Sequence, residues 1–206
     1  STSRRQRQMC IRDRKKEMIV LATNNKGKVK EIKEILKSEE IKTLKEMNIN
    51  IEIEEDGETF EQNALKKARE IYKLTKTASV ADDSGICIEM LNDFPGVKTA
   101  RFLGEEATQE ERNTYLINKL KGAEKENRKV KFITCIAYVD EKGNEKLYKG
   151  ILNGYIAEKP RGSNGFGFDE IFELEDGRTL AELEENEKNN ISSRKIALEN
   201  LRKDIG

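Results

Sequence analysis

The chain has no histidine and no tryptophan, and only two prolines and three cysteines among its 206 residues. Without histidine there is no Ser-His-Asp or Cys-His catalysis, no His-ligated zinc and no imidazole acid or base. Cys10, Cys87 and Cys135 stand far apart with no CxxC pair, which indicates neither a zinc ribbon nor a disulfide framework. No apolar run approaches the roughly 18–20 residues of a membrane span, and no signal-peptide apolar stretch is visible. A soluble cytoplasmic protein is therefore expected. Catalysis, if present, must rest on carboxylates, lysines, arginines, amides and a metal.

Charge is abundant instead. Lys and Arg number 39, Asp and Glu 39, and together they make 38% of the chain, against about 25% in an average domain. The 35% of apolar residues still suffices for one globular domain of this length. The zero net charge is unevenly distributed. Residues 1–17 hold Arg4, Arg5, Arg7, Arg12, Arg14, Lys15 and Lys16 against Asp13 and Glu17. Without them 32 basic residues face 37 acidic ones, and such a remainder does not read as a nucleic-acid-binding domain. The first 17 residues read as a disordered basic leader, or as vector-derived sequence, before a natural start at Met18. The other reading is a basic arm for nucleic acid or acidic lipid.

From Met18 the pattern alternates strands with helices. Met18–Ala22 reads as a buried strand that feeds the polar turn Thr23–Lys28. Val29, Ile32, Ile35 and Leu36 follow at helical spacing. Ile49, Ile51 and Ile53 alternate with polar residues, which predicts a second strand. Thr59 caps a helix with Ala64, Leu65, Ala68, Ile71 and Tyr72 on its apolar face. Ser79–Ala81 reads as a short strand ending at Asp82-Asp83-Ser84-Gly85. Residues 130–139 and 146–157 form a long antiparallel hairpin around Gly143. Leu198, Leu201 and Ile205 mark a C-terminal helix. The expected fold is α/β: a mixed central sheet with that hairpin, flanking helices, and two lobes around a ligand cleft at the strand ends.

Three polar clusters offer chemistry, each with a plainer alternative. Thr23 to Lys28 places amides and an ammonium at a helix N-terminus, which suits an anion, or is a solvated turn. It is not a GxxxxGK[ST] P-loop. Glu54-Glu55-Asp56 and Asp82-Asp83 are carboxylates suited to Mg²⁺, or acidic turns. Adjacent acids on an extended chain point oppositely, so each cluster aims only one or two inward. Gly162 to Asp169 sets Phe166 and Phe168 among glycines, either to stack on a base or as core. Lys188 and Arg194 face that cleft, or are surface charges.

Six segments in order, TNNKGKVKEI, EEDGETFEQNALKKA, ADDSG, PGVKTARF, SNGFGFDEIF and EKNNISSRKIAL, resemble the inosine/xanthosine triphosphate pyrophosphatases, covering about residues 18 to 204. The resemblance implies hydrolysis of a nucleoside triphosphate to monophosphate and pyrophosphate with Mg²⁺, by a homodimer in the cytoplasm. It implies that Thr23, Asn25, Lys28, Asn63 and Lys67 hold the triphosphate and that Ser84 touches the nucleotide. Glu54 or Glu55 and Asp83 would bind the metal, with Asp83 or Asp82 orienting the attacking water. Ser163, Asn164, Gly165, Phe166, Gly167, Phe168, Asp169, Lys188, Ser193 and Arg194 would form the base pocket, with Arg194 donating to the 6-carbonyl. Two departures stand out: Ser193 replaces the usual histidine, and Gln62 replaces a glutamate, removing a charge expected near the phosphates. A pyrophosphatase for pyrimidine or modified nucleotides, and a nucleotide-binding protein with weak catalysis, are the alternatives.

Overall fold

The computed structural model describes residues 18–37 and 39–205. The leader 1–17 lies outside them, and with it the reading of a basic arm. β1 (Met18–Leu21), α1 (Lys26–Ile35), β2 (Glu40–Thr43), α2 (Phe60–Thr75) and β3 (Ser79–Ile88) alternate in the first half. β4 (Phe94–Pro95), α3 (Gln109–Lys119), β5 (Lys129–Val139), β6 (Glu145–Ile156), β7 (Phe172–Glu173), α4 (Glu185–Ile191) and α5 (Ser193–Ile205) follow. The strands form one mixed sheet in the order β2-β1-β3-β5-β6-β7, with β4 pairing β3. β1 lies parallel to β2 and β3, whereas β3, β5, β6 and β7 run antiparallel.

The helices form where the sequence supplies both a cap and an apolar stripe. Asn25 caps α1 by accepting from the amides of Gly27 and Lys28, and the Thr59 side chain accepts from Gln62 N at the start of α2. Ile32 and Ile35 of α1 pack with Ala197, Leu198 and Leu201 of α5 on one face of the sheet. Ala64, Ala68 and Ile71 of α2 pack on the other. A third cluster, with Ile86, Leu116, Phe168 and Phe172, fills the far half of the molecule. Among the described residues no helix is long and apolar enough to cross a membrane.

Two expectations need correction. Ile49–Ile53 is not a strand. Its isoleucines pack partly buried beside α2 as extended chain without a ladder, and the second strand is Glu40–Thr43. β3 does not stop at Ala81 either. It pairs with β5 along all ten residues, so Asp82 and Asp83 lie inside a strand. They are polar there because β1 pairs with β3 only at Ser79 and Val80. From Ala81 to Ile86 one edge of β3 has no strand partner, and the cleft begins there.

Candidate active site

A cleft of about 560 Å³ opens along that edge. Its walls come from both halves of the molecule: Thr23, Asn25 and Lys28 from the β1–α1 turn, Lys67 from α2, Asp83 and Ser84 from β3, and Phe166 from the glycine-rich loop.

Strand alternation splits the two aspartates. Val80 packs on the α1/α5 face and Ala81 on the α2 face, so Asp82 follows the first and Asp83 the second. Asp82 is fully buried. Its Oδ2 lies 3.0 Å from Lys28 Nζ and 3.2 Å from Arg194 Nη2. Burial alone would raise its pKa, but Lys28, Arg194 and Lys67 outweigh that and hold it well below the usual carboxylate range. Asp83 accepts from Asn63 Nδ2 at 3.0 Å and from the Ser84 amide at 2.9 Å. Burial, reinforced by repulsion from Glu55, pushes its carboxyl up to about 6 despite Lys67 nearby. Lys67 bridges the groups, donating to Glu55 and, at 2.7 Å, to the Asp82 carbonyl.

Of the two candidate glutamates, Glu55 is half-buried and lines the cleft, while Glu54 is exposed and does not. Arg101, to which the sequence reading gave no role, fixes Glu55 by donating to its carbonyl at 2.7 Å. Glu52 and Asn50 also line the cleft; they fall in the stretch read as a strand, which hid them. Among the described residues no three His, Cys, Asp or Glu side chains gather to hold a metal alone. Glu55 and Asp83 nonetheless suit a hard divalent cation, which takes one or two carboxylates and completes its shell with phosphate and water. A carboxyl pushed up by burial and by a neighbouring carboxylate is one that a cation would relieve. Asp82 Oδ1 is buried without a hydrogen-bond partner, but on the other face of the strand, where Lys28 and Arg194 already balance its charge.

At the other end of the cleft Asp169 accepts from Phe166 N at 2.7 Å and from Lys188 Nζ. Lys188 lies 4.4 Å above the Phe166 ring. A side chain at Gly27 would come within 2.8 Å of that ring, so the glycine lets Phe166 close over the start of α1. Phe168 is 5% exposed and stacks on Phe102, so it is mainly core, whereas Phe166 is 40% exposed. Asn164 donates to the Leu183 carbonyl at 2.9 Å, Ser163 donates its amide to Ala181, and Gly165 and Gly167 supply the positive φ values of the loop.

Three expected roles fail on position. Ser193 does not line the cleft: it is buried, with its hydroxyl 2.8 Å from Thr134 Oγ1. Arg194 is 4% exposed and does not line the cleft; it donates to Glu31, Asp82 and Ser84, so its donors are spent within the protein. Gln62 is exposed and accepts from the Glu58 amide at 2.8 Å, outside the cleft, so the charge missing there is not missing from the phosphates.

A helix N-terminus with a lysine over it, a second lysine between carboxylates, and an aromatic lid on one open sheet edge define a protein built to hold a phosphorylated ligand. The chain belongs to the Ham1 family, whose model matches residues 19–204. It is 45% identical to a dITP/XTP pyrophosphatase of Bacillus subtilis over 188 residues, 89% of this chain and 94% of that one. Among solved structures, a HAM1 protein from Coxiella burnetii matches with a TM-score of 0.83 at 41% identity, covering 92% of this chain and 98% of that one. A nucleoside-triphosphatase, dITP/XTP pyrophosphatase, from Mycobacterium abscessus matches with a TM-score of 0.74 at 39% identity, covering 89% and 98%.

Proposed function

We propose that this chain hydrolyses non-canonical purine nucleoside triphosphates (ITP, dITP and XTP) to the monophosphate and pyrophosphate, and so clears them from the nucleotide pool. The convergence of Lys28, Lys67 and Asp83 on one cleft carries the reading, within a family whose relatives bear the pyrophosphatase name. The positive end of α1, with Lys28 and Lys67, receives the phosphates. Asp83, aimed by Asn63, holds a water in line and takes its proton as the water adds across the α–β phosphoanhydride bond. Little covalent chemistry is asked of the protein, so histidine is not needed. Mg²⁺, which Glu55 and Asp83 would hold, supplies neutralisation of the phosphate charge when bound. Phe166 stacks on the base, and Lys188 with Asp169 meets its polar edge. With Arg194 turned away, Lys188 is the cation left to favour a 6-carbonyl over the amino group of adenine.

The test is pyrophosphate release from ITP, dITP, XTP, GTP, dUTP and ATP, each with Mg²⁺ and with EDTA. Metal-dependent turnover favouring the first three is expected, whereas no turnover, or equal turnover of ATP, overturns the reading. A homodimer belongs to the same proposal, supported by Leu147 and Ile151, 42% and 41% exposed on the outer face of β6. Sedimentation at the monomer mass would remove it.

A further inference from the structure

The cleft rests on a chain of alternating charges, Lys28, Asp82, Arg194 and Glu31, of which the last three are buried. Lys28 and Glu31 lie three residues apart on α1 and so share a face of that helix. Glu31 is 5% exposed, and it accepts from Arg194 Nη1 and from the Ser192 hydroxyl. Arg194 reaches on to Asp82 Oδ2 at 3.2 Å and Ser84 Oγ at 3.2 Å. The arrangement is unusual for Arg194, because the first turn of a helix disfavours a cation and this one opens α5. Two carboxylates have to hold it there. Asp82 already serves Lys28, so Glu31 is the partner that leaves the cluster neutral and the arginine anchored.

We infer that Glu31 is a positioning residue, which fixes Arg194 against Asp82 and thereby sets the carboxylate that orients Lys28 toward the phosphates. The inference deepens the proposed hydrolysis and rests on it for its kinetic part. Through Ser192 the same glutamate also ties the segment after Lys188 to the phosphate end of the cleft. Arg194 thus acts behind the site, in place of the base contact its sequence position implied.

Glu31→Gln keeps the volume and the acceptor for Ser192 but removes the charge. In a crystal structure of this variant Arg194 should leave Asp82, a reading that needs no substrate. Displacing a catalytic group by about 1 Å costs roughly 10²-fold, so kcat for dITP should fall about that far, with KM held within about threefold because the base end is untouched. If Glu31 acts through Arg194, adding Glu31→Gln to Arg194→Gln should cost no further activity beyond about twofold. Arg194 unmoved in the crystal, wild-type kcat, losses confined to KM, or additive losses in the double variant would each overturn the inference. Should the wild-type protein release no pyrophosphate at all, the proposed function falls, and the crystal structure alone still decides whether Glu31 places Arg194.

Discussion

Asp82 and Asp83 are neighbours on one strand and have opposite surroundings. On the α1/α5 face Asp82 meets Lys28 and Arg194 and stays ionised. On the α2 face Asp83 meets an amide, a backbone N–H and the repulsion of Glu55, and its carboxyl is pushed up to about 6. A period of two along the backbone is enough to separate them. Carboxylates whose environments drive their pKa values apart take different roles: Asp82 is already neutralised by the protein, while Asp83 has charge left to satisfy and faces the open cleft.

The strongest test of this contrast exchanges each carboxylate for its amide. Asp82→Asn and Asp83→Asn should both lose turnover, on the order of 10³-fold. They should differ in stability. Removing one partner of a buried ion pair costs about 3–5 kcal/mol, or about 10 °C in Tm for a chain of this size. Asp82→Asn should show that loss, and Asp83→Asn should melt at or above the wild-type temperature. Equal melting temperatures would break the comparison.

A second test reads Asp83 through pH. Its carboxyl rises from 3.8 to about 6 on folding. Between those values the folded state holds a proton that the unfolded state has lost, so stability falls as pH rises from about 4 to 6 and stays low above. The full effect is about 3 kcal/mol. Urea unfolding at pH 4, 6 and 8 should show this fall in the wild type and not in Asp83→Asn. Added Mg²⁺ should recover the loss at pH 8 and do nothing at pH 4, where the site is protonated. Recovery at both pH values would mean that the ion binds elsewhere.

The sequence made some of this contrast readable. Alternation implied that adjacent acids on an extended chain point oppositely, the spacing of Val29, Ile32, Ile35 and Leu36 located α1, and the Thr59 cap located α2. It could not supply phase: nothing in Glu54-Glu55 says which one faces inward, since that depends on the extended path of residues 49–57. The length of β3 was hidden because polar residues inside a strand look like its end unless the pairing of β5 is known. Arg194 was misplaced for a related reason. Its direction is set by how α5 packs on α1 and by Glu31, a partner 163 positions away in the chain. Phe166 and Phe168 illustrate the same limit, because their spacing leaves open which one is core.

Asn63 gives a smaller effect on the Asp83 face. It is fully buried, donates to Asp83 and accepts from the Gly57 amide at 2.7 Å. Asn63→Ala strips Asp83 of a donor, which moves its carboxyl further up, and leaves the part-buried Gly57 N–H without its acceptor, at a cost of about 1 kcal/mol. A drop of about tenfold in kcat/KM is expected, with the pH step of the urea series moved to higher pH. An unmoved step would show that Asn63 does not act through Asp83.

The smallest effect belongs to the next residue toward the N-terminus. Gln62 sits beside Asn63 on α2 but faces solvent, where its Oε1 accepts from the Glu58 amide. A glutamate can accept the same bond, and an acid in the first turn of a helix is favoured by about 0.3–1 kcal/mol. Gln62→Glu should therefore raise Tm slightly and leave kcat/KM and the Mg²⁺ dependence within about twofold, as expected of a surface change. A tighter or weaker Mg²⁺ dependence in this variant would mean that charge on the outer side of α2 reaches the cleft. The division between the two faces would then be a matter of distance through the whole site, and the direction of each side chain would no longer account for it.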